Sequence, residues 1–499
     1  MDRADGTRQR RWLLGLLVFG LPLLLRAQPE AQDVFASFQP ASAVTQSRGI
    51  YSLWSNPGNL ALQPPVDTLR IPSPLLPAET EIVPFLELSL LQPSAAVFSS
   101  ALDRSELLNM LVAKISTPLT TAEKQRLVQA FVNNGLALST QMVYGAGWLR
   151  LAPHTAIGIA VRERISAYLR FNRFVSELSF YGRFHPYFDS IAVIDGDTVG
   201  FSTRPHRFSE LFAGTILDFV WFREYTAGWG TIVLDDPAFR LSWGMNLKYV
   251  QGYAYLEGRV TQQQLRAFSA INPAFGIDYG KAVSPSLLDT NALVPIGWGL
   301  GADAGVQFQF PRLALGIAVL DIGFLNWEGN LFTAEDTVLN GLSSSGFRTL
   351  NLLEEIPKIT GKGNFFKWHG LWRLRSWLPT RLYIGATFAL PPAVRRFGFP
   401  SASVTLGVPL NKAVGNLPQP FLSAGTTIPL DTWISLYPAL SLGGALPRPV
   451  LSLFAHIELL NGLLNLRLGT ADVLALVLRA TPVLSATAAV VDFHLPKLW

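Results

Sequence analysis

From residue 381 to the end of the chain, apolar side chains fall on every second position in one ten-residue stretch after another. Leu382, Ile384, Ala386, Phe388 and Leu390 alternate with Arg381, Tyr383, Gly385, Thr387 and Ala389. Ala402, Val404, Leu406, Val408 and Leu410 alternate with Ser401, Ser403, Thr405, Gly407 and Pro409. A period of two sends successive side chains to opposite faces of a strand, and about ten residues is what a tilted strand needs to cross a bilayer. Similar runs occur upstream, as in Tyr225–Val233, Leu241–Tyr249 and Trp298–Phe310. The count is roughly fourteen strands, an even number as in single-chain outer-membrane barrels.

The two faces differ in kind. One holds Leu, Val, Ile, Phe and Trp; the other is mainly Gly, Ser, Thr, Asn and Gln. A soluble sandwich also alternates, but its outer face carries charge at higher density. The charged strand positions Lys248, Asp303, Arg467 and Asp492 fall on the small, polar face. They are expected to point inward, because a charge facing lipid at the midplane costs about 2–4 kcal/mol. The expected fold is therefore an all-β transmembrane barrel of about 14 antiparallel strands with an N-terminal helical plug or cap.

Residues 1–27 read as a signal peptide: Arg8, Arg10 and Arg11 precede the apolar stretch Trp12–Leu25 and the small residue Ala27. Residues 28–139 are assigned to a plug or cap segment and 140–499 to the barrel. The stretch 28–100 is rich in proline and is expected to be irregular. Two short helices should follow. One starts at Asp103 and Glu106; the other starts at the Thr120-x-x-Glu123 capping box, ahead of Leu127, Val128 and Phe131. Helical pieces are also expected around 164–180 and 208–220, and polar excursions over about 257–295 and 328–379.

Composition narrows the function. Only 15% of residues are charged against 49% hydrophobic, and the mean hydropathy is +0.28; soluble domains average about 25% charged. With no cysteine there is no disulfide scaffold or thiolate metal site, and no basic stripe suits a nucleic acid. The six histidines lie at no metal-ligand spacing. Asp195-Gly196-Asp197 reads as a turn rather than a calcium loop, and Gly299-x-Gly301 lies inside a strand rather than at a nucleotide-binding turn. No catalytic, metal or cofactor residue is assigned, and no enzymatic activity is expected.

Two passages resemble a family of uncharacterised outer-membrane barrels from Bacteroidetes-like bacteria, similar in architecture to the long-chain fatty-acid transporters. They are Glu224-Tyr225 through Leu247-Lys248-Tyr249-Val250-Gln251-Gly252, and Gly299 to Trp327 with Asp303 and Asp321-Ile322-Gly323. Asn56-Pro57-Gly58-Asn59 resembles the Asn-Pro-Ala motif of the transporter group, with Gly58 in place of Ala. The resemblance implies N-terminal material inside or capping the lumen, with Asn56 and Pro57 as its plug motif. The closing Val491, Phe493, Leu495 and terminal Trp499 resemble the signal read by the barrel assembly machinery, although Pro496 suits a central strand poorly.

These readings predict a protein of the outer membrane of a diderm bacterium that binds or passively passes a hydrophobic small molecule. Its route would run past the plug or sideways through the wall. The alternative is a structural or secretion-accessory barrel with no transport activity. The expected partners are outer-membrane lipid and lipopolysaccharide, the assembly machinery and a hydrophobic ligand, with no nucleic acid. Lys358, Lys362, Lys367, Arg373 and Arg375, interleaved with aromatics, form a candidate lipopolysaccharide-binding loop, or else a loop packed over the barrel mouth.

Overall fold

A computed structural model of the chain describes residues 41–62, 84–102, 118–349 and 366–496, apart from short stretches within these ranges. The leader over 1–27 and the first candidate helix, over Leu107–Leu111, lie outside the described residues.

Among the described residues, fourteen strands form the wall. They are β1 (Pro84–Ser99), β2 (Gly135–Ala152), β3 (Thr155–Arg170), β4 (Ile216–Asp236), β5 (Phe239–Thr261), β6 (Gly297–Phe310) and β7 (Leu313–Trp327), then β8 (Arg381–Ala389, preceded by its outer segment Leu374–Trp377). The remainder are β9 (Ser401–Pro409), β10 (Phe421–Thr426, continued by Ile428–Asp431), β11 (Ile434–Gly443), β12 (Val450–Leu459), β13 (Leu464–Thr470) and β14 (Val483–Pro496). Each pairs antiparallel with the next, and β14 returns to β1 from Pro84 opposite Pro496 to Phe98 opposite Val483. The sheet closes on itself and leaves no edge. Pro496 stands at the end of its strand, where the ladder stops and a missing N–H costs little.

Three local expectations change. Residues 84–99 are not irregular but form the first wall strand, with Pro93 opposite Met142 of β2 and Leu91 at φ 51°. The alternation of β3 runs on to Arg170, so only Arg173–Tyr181 is helical. The helical expectation over 208–220 shrinks to Phe208–Leu211 before β4 begins.

The wall is inverted relative to a water-soluble protein. Along β9, Ser403, Thr405 and Gly407 are buried, Leu406 is 37% exposed, and Val404 and Val408 are half-buried. Along β5, Ser242, Gly244, Asn246 and Lys248 are buried while Trp243, Met245, Leu247 and Tyr249 are exposed. Polar side chains inside and apolar ones outside suit an outer surface in lipid. The chain is a transmembrane β-barrel, and no described helix is long and apolar enough to cross a membrane.

Lys248 and Asp303 face inward as expected, and Arg467 lies over the ring of Tyr51 in the lumen, 3.9 Å away. The side chain of Asp492 lies outside the described residues. The expectation that charge avoids the lipid face fails at a pair among the described residues. By alternation Glu163 and Arg223 point outward, joined at 2.7 Å.

Short turns at 152–155, 236–239 and 310–313 gather at one end, with the start of β1 and the end of β14. The long connections 100–134, 171–215, 262–296 and 328–380 gather at the other and build a cap. The lumen is occupied by 41–62, which contains α1 (Ala43–Gln46) and α2 (Ser52–Ser55). The helix after the capping box, α3 (Thr121–Phe131), has both reciprocal bonds: Glu123 N–H donates to Thr120 Oγ1 at 3.3 Å and Thr120 N–H to Glu123 Oε2 at 2.7 Å. That N–H holds the Glu123 carboxyl below its ordinary range. Leu127, Val128 and Phe131 pack with Phe180 of α4 (Arg173–Tyr181) and with Phe347. This helix therefore belongs to the cap, and the lumen plug is the segment before β1.

Candidate functional site

The plug segment has one charged residue, Arg48, and its helices are only one turn long. It cannot form a core of its own, so the wall must satisfy its backbone. Lumenal side chains do so. Trp148 Nε1 donates to Leu60 O at 2.8 Å, Asn246 Nδ2 to Leu53 O at 2.8 Å and Ser242 Oγ to Gly58 O at 2.6 Å. Gln307 Nε2 donates to Thr45 O at 3.1 Å and Thr405 Oγ1 to Ala41 O at 2.8 Å. In return Ile50 N–H donates to Glu87 Oε2 at 2.9 Å.

Asn56 and Pro57 lie at the centre of this seat. Asn56 Oδ1 accepts from Gly58 N–H at 3.0 Å, and Asn56 Nδ2 donates to Val44 O at 2.9 Å and to Val306 O of β6 at 3.3 Å. The approach is close because the wall offers glycine there. A Cβ on Gly305 would overlap the Asn56 side-chain oxygen, and one on Gly244 would overlap the Pro57 carbonyl.

Beyond the plug, toward the long connections, an ionic layer crosses the lumen. Arg162 donates to Glu224 Oε2 through Nε at 3.0 Å and Nη2 at 2.7 Å. Arg164 Nη1 bridges Glu224 Oε1 and Asp321 Oδ2, each at 2.8 Å. Lys248 Nζ bridges Asp321 Oδ1 at 2.5 Å and Asp303 Oδ1 at 2.8 Å, while Asn246 donates to Asp303 Oδ2 at 2.8 Å. Three cations meet three carboxylates, all buried, with the buried Arg381 beside them, and most lone pairs are filled. A break anywhere would leave an uncompensated charge.

Asp321 reaches the layer through a bulge. It stands at φ 59°, and the β6–β7 register shifts between Val319 and Ile322, turning Leu320 and Asp321 inward together. Its own N–H donates to Asp303 Oδ1 at 2.7 Å. A cavity of about 10 Å³ remains between Trp54, Arg162, Arg164, Lys248, Asp321 and Arg381, the room of one water.

Above this layer the lumen turns apolar. Val220, Phe222, Val250, Leu325, Trp327 and Leu378 are among the buried residues of one cluster under the cap. The cap is held by aromatic contacts, with the Tyr279 ring stacked on Phe332 at 3.9 Å and Phe366 4.8 Å from Phe208. Burial pushes the Tyr279 phenol up to about 12, against the Ser269 hydroxyl that opposes the shift.

The five candidate loop cations separate. Lys358 and Lys362 lie outside the described residues. Lys367 is neutralised by Glu335 at 2.7 Å, and hydrogen bonds from Lys367 and His369 hold that carboxyl below its ordinary range. Phe366 and Trp368 pack into the cap. Arg375, and Arg373 two residues before it, are exposed at the outer end of the wall.

The two passages quoted for the family resemblance supply Glu224, Lys248, Asp303 and Asp321, which the fold brings together. Sequence reading missed their partners Arg162 and Arg164, because the charged run Arg162-Glu163-Arg164 broke the apolar alternation and 164–180 reads as partly helical. Alternation continued one turn further, Ala160-x-Arg162-x-Arg164-x-Ser166, would have placed both arginines on the lumenal face.

Residues 132–442 match the family described as "Family of unknown function (DUF5723)". No curated protein matches the sequence. Among solved structures, the chain is similar to the toluene transporter TodX of Pseudomonas putida, at 9% identity and a TM-score of 0.39, covering 94% of this chain and 99% of that one. A "TodX deltaS2S3 mutant monoaromatic hydrocarbon channel" gives 9% identity and 0.45 over 93% and 98%. A Pseudomonas aeruginosa FadL homologue gives 8% and 0.37 over 94% and 99%. At these values the barrel assignment rests on the chain's own strand pairing.

Proposed function

The chain belongs to the family of unknown function DUF5723, and from that premise we propose that it is an outer-membrane barrel that holds or passively passes a hydrophobic small molecule. The observation that carries this reading is the lumen beneath the cap, where Phe222, Val250, Leu325 and Trp327 pack into a buried apolar cluster at a level where an aqueous pore would carry polar groups. The orientation follows from connection length, since outer-membrane barrels keep short turns in the periplasm and long loops outside. The plug segment then enters from the periplasmic end, beside the start of β1.

The mechanism is passive. A hydrophobic molecule entering through the cap meets the apolar cluster first and the ionic layer second. Straight descent would force it between desolvated ion pairs, so a sideways exit through the wall is favoured. One observation supports a second reading, a structural or secretion-accessory barrel: the ionic layer leaves room for a single water. Liposomes holding the purified protein separate the two. Under the passage reading, a long-chain fatty acid and toluene enter faster than into protein-free liposomes, whereas a sugar does not. Uptake unchanged for every hydrophobic solute would favour the structural barrel and sink the transport reading.

A further inference from the structure

The outward face of the wall at its outer rim carries charge that nothing among the described residues neutralises. The outer segment of β8 pairs with β7 so that Trp377 lies opposite Phe324 and Arg375 opposite Asn326, and β6 sets Trp298 beside Asn326. Facing residues of an antiparallel pair share a face. Trp298 and Leu300 are exposed while Leu325 and Trp327 are fully buried in the lumen, so this row points outward.

Arg375 Nε donates to Asn326 Oδ1 at 2.9 Å, and its guanidinium lies 4.4 Å from the Phe324 ring centroid. That contact holds the planar group flat against the wall. Its two terminal amino groups have no acceptor among the described residues. Arg373, just ahead of that strand segment and two residues from Arg375, is exposed and has no partner among them. The neighbouring carboxylate, Glu328, accepts from Trp298 Nε1 at 3.3 Å and pairs with neither arginine. Trp372 and Trp377 flank them, 74% and 64% exposed.

Height decides what these groups meet. Asn326 lies thirteen residues beyond Leu313 at the base of β7, which at about 3.3 Å per residue and a tilt near 40° is roughly 33 Å. The apolar band of such barrels is about 25 Å tall. The arginines therefore stand at headgroup level, with the exposed tryptophans at the depth where indole rings favour the interface.

We propose that Arg373 and Arg375, flanked by Trp372 and Trp377, bind the phosphate of a phosphorylated glycolipid in the outer leaflet, the tryptophans lying against its acyl chains and sugar. Arginine suits this ligand because its planar fork meets phosphate oxygens in pairs. The inference rests on the outward orientation argued above, but not on transport.

The test is native mass spectrometry of the detergent-purified full chain with three probes: diphosphoryl lipid A, its monophosphoryl form and phosphatidylcholine. The wild-type chain should retain diphosphoryl lipid A roughly tenfold over phosphatidylcholine, with the monophosphoryl form between them. Arg373→Gln/Arg375→Gln should fall to the phosphatidylcholine level, Arg373→Lys/Arg375→Lys should keep part of the preference, and Trp372→Ala/Trp377→Ala should lose less than the Gln pair. A heat-induced gel shift checks that each variant is folded. Equal retention of all three probes, or an unchanged preference in the folded Gln pair, overturns the inference. Displacement of bound lipid A by millimolar inorganic phosphate would make this a free-phosphate site and overturn the lipid assignment. Because retention in detergent involves neither uptake nor sidedness, failed solute uptake would count against the passage reading alone. Surface labelling that put the long connections in the periplasm would remove the outer-leaflet source.

Discussion

Strands β3 and β4 build two ionic clusters back to back. Arg162 and Arg164 point into the lumen, and Glu163 between them points out; on β4, Glu224 points in and its neighbour Arg223 points out. A single residue step separates a buried six-member network from a lone outward pair. The lumenal network places three cations on three carboxylates around a cavity with room for one water. The outward pair is shielded instead by aromatics. Glu163 accepts from Trp221 Nε1 at 2.6 Å and from Tyr144 OH at 2.8 Å, and Arg223 lies 5.2 Å from the rings of both Tyr144 and Tyr253. The lesson is that charge tolerates the lipid side of a wall when it is paired and covered. Inside, the same charges can join because the inward curve of the five consecutive strands β3–β7 brings their lumenal side chains together.

The largest break in this comparison should come from Glu224→Gln. It strips the carboxylate from both Arg162 and Arg164 and should cost about 3–5 kcal/mol, as removing one partner of a buried pair does. Denaturant midpoints of the folded band on unheated gels read this directly. Arg162→Met added to Glu224→Gln should cost less than the two changes summed, since the stranded cation goes with its partner.

Gly305→Val should come next, at about 1–3 kcal/mol for overpacking. The new side chain occupies the place of Asn56, so the plug should also loosen. A cysteine at Ser55 should then react with a polar maleimide that does not reach it behind Gly305, and continued protection would refute the close seat.

Glu163→Gln should cost less than Glu224→Gln, about 1–2 kcal/mol, because it strands one cation rather than two and Arg223 keeps its aromatic cover. A loss equal to that of Glu224→Gln would erase the distinction between the two faces.

The smallest effect concerns the cap. The folded Tyr279 pKa of about 12 lies above the unfolded value of ~10. The contribution is therefore complete below pH 10 and lost as pH rises through 12. Limited proteolysis of the cap should quicken between these limits, and less so in Tyr279→Phe. Equal acceleration in both would assign the change to other groups.

Much of the wall was legible in the sequence because alternation is local. The strands around Val404 and Leu406, the inward placement of Lys248 and Asp303, and the capping box at Thr120 each follow from a few neighbouring residues. The passages holding Glu224, Lys248, Asp303 and Asp321 stood out by resemblance, yet nothing in them says that the four meet. Two cues misled: prolines hid β1, and the charged run Arg162-Glu163-Arg164 broke the apolar pattern that a barrel strand otherwise presents.

The sequence by itself determined a period-two wall with grease on one face and small polar groups on the other, since that depends only on backbone geometry and side-chain type. Tertiary structure alone decided that the plug is 41–62, that wall glycines admit Asn56 and Pro57, and that a bulge aims Asp321 at Arg164 and Lys248. These depend on closure. Residues more than a hundred positions apart become neighbours only when β14 finds β1, and no local pattern encodes which side chains then share the lumen.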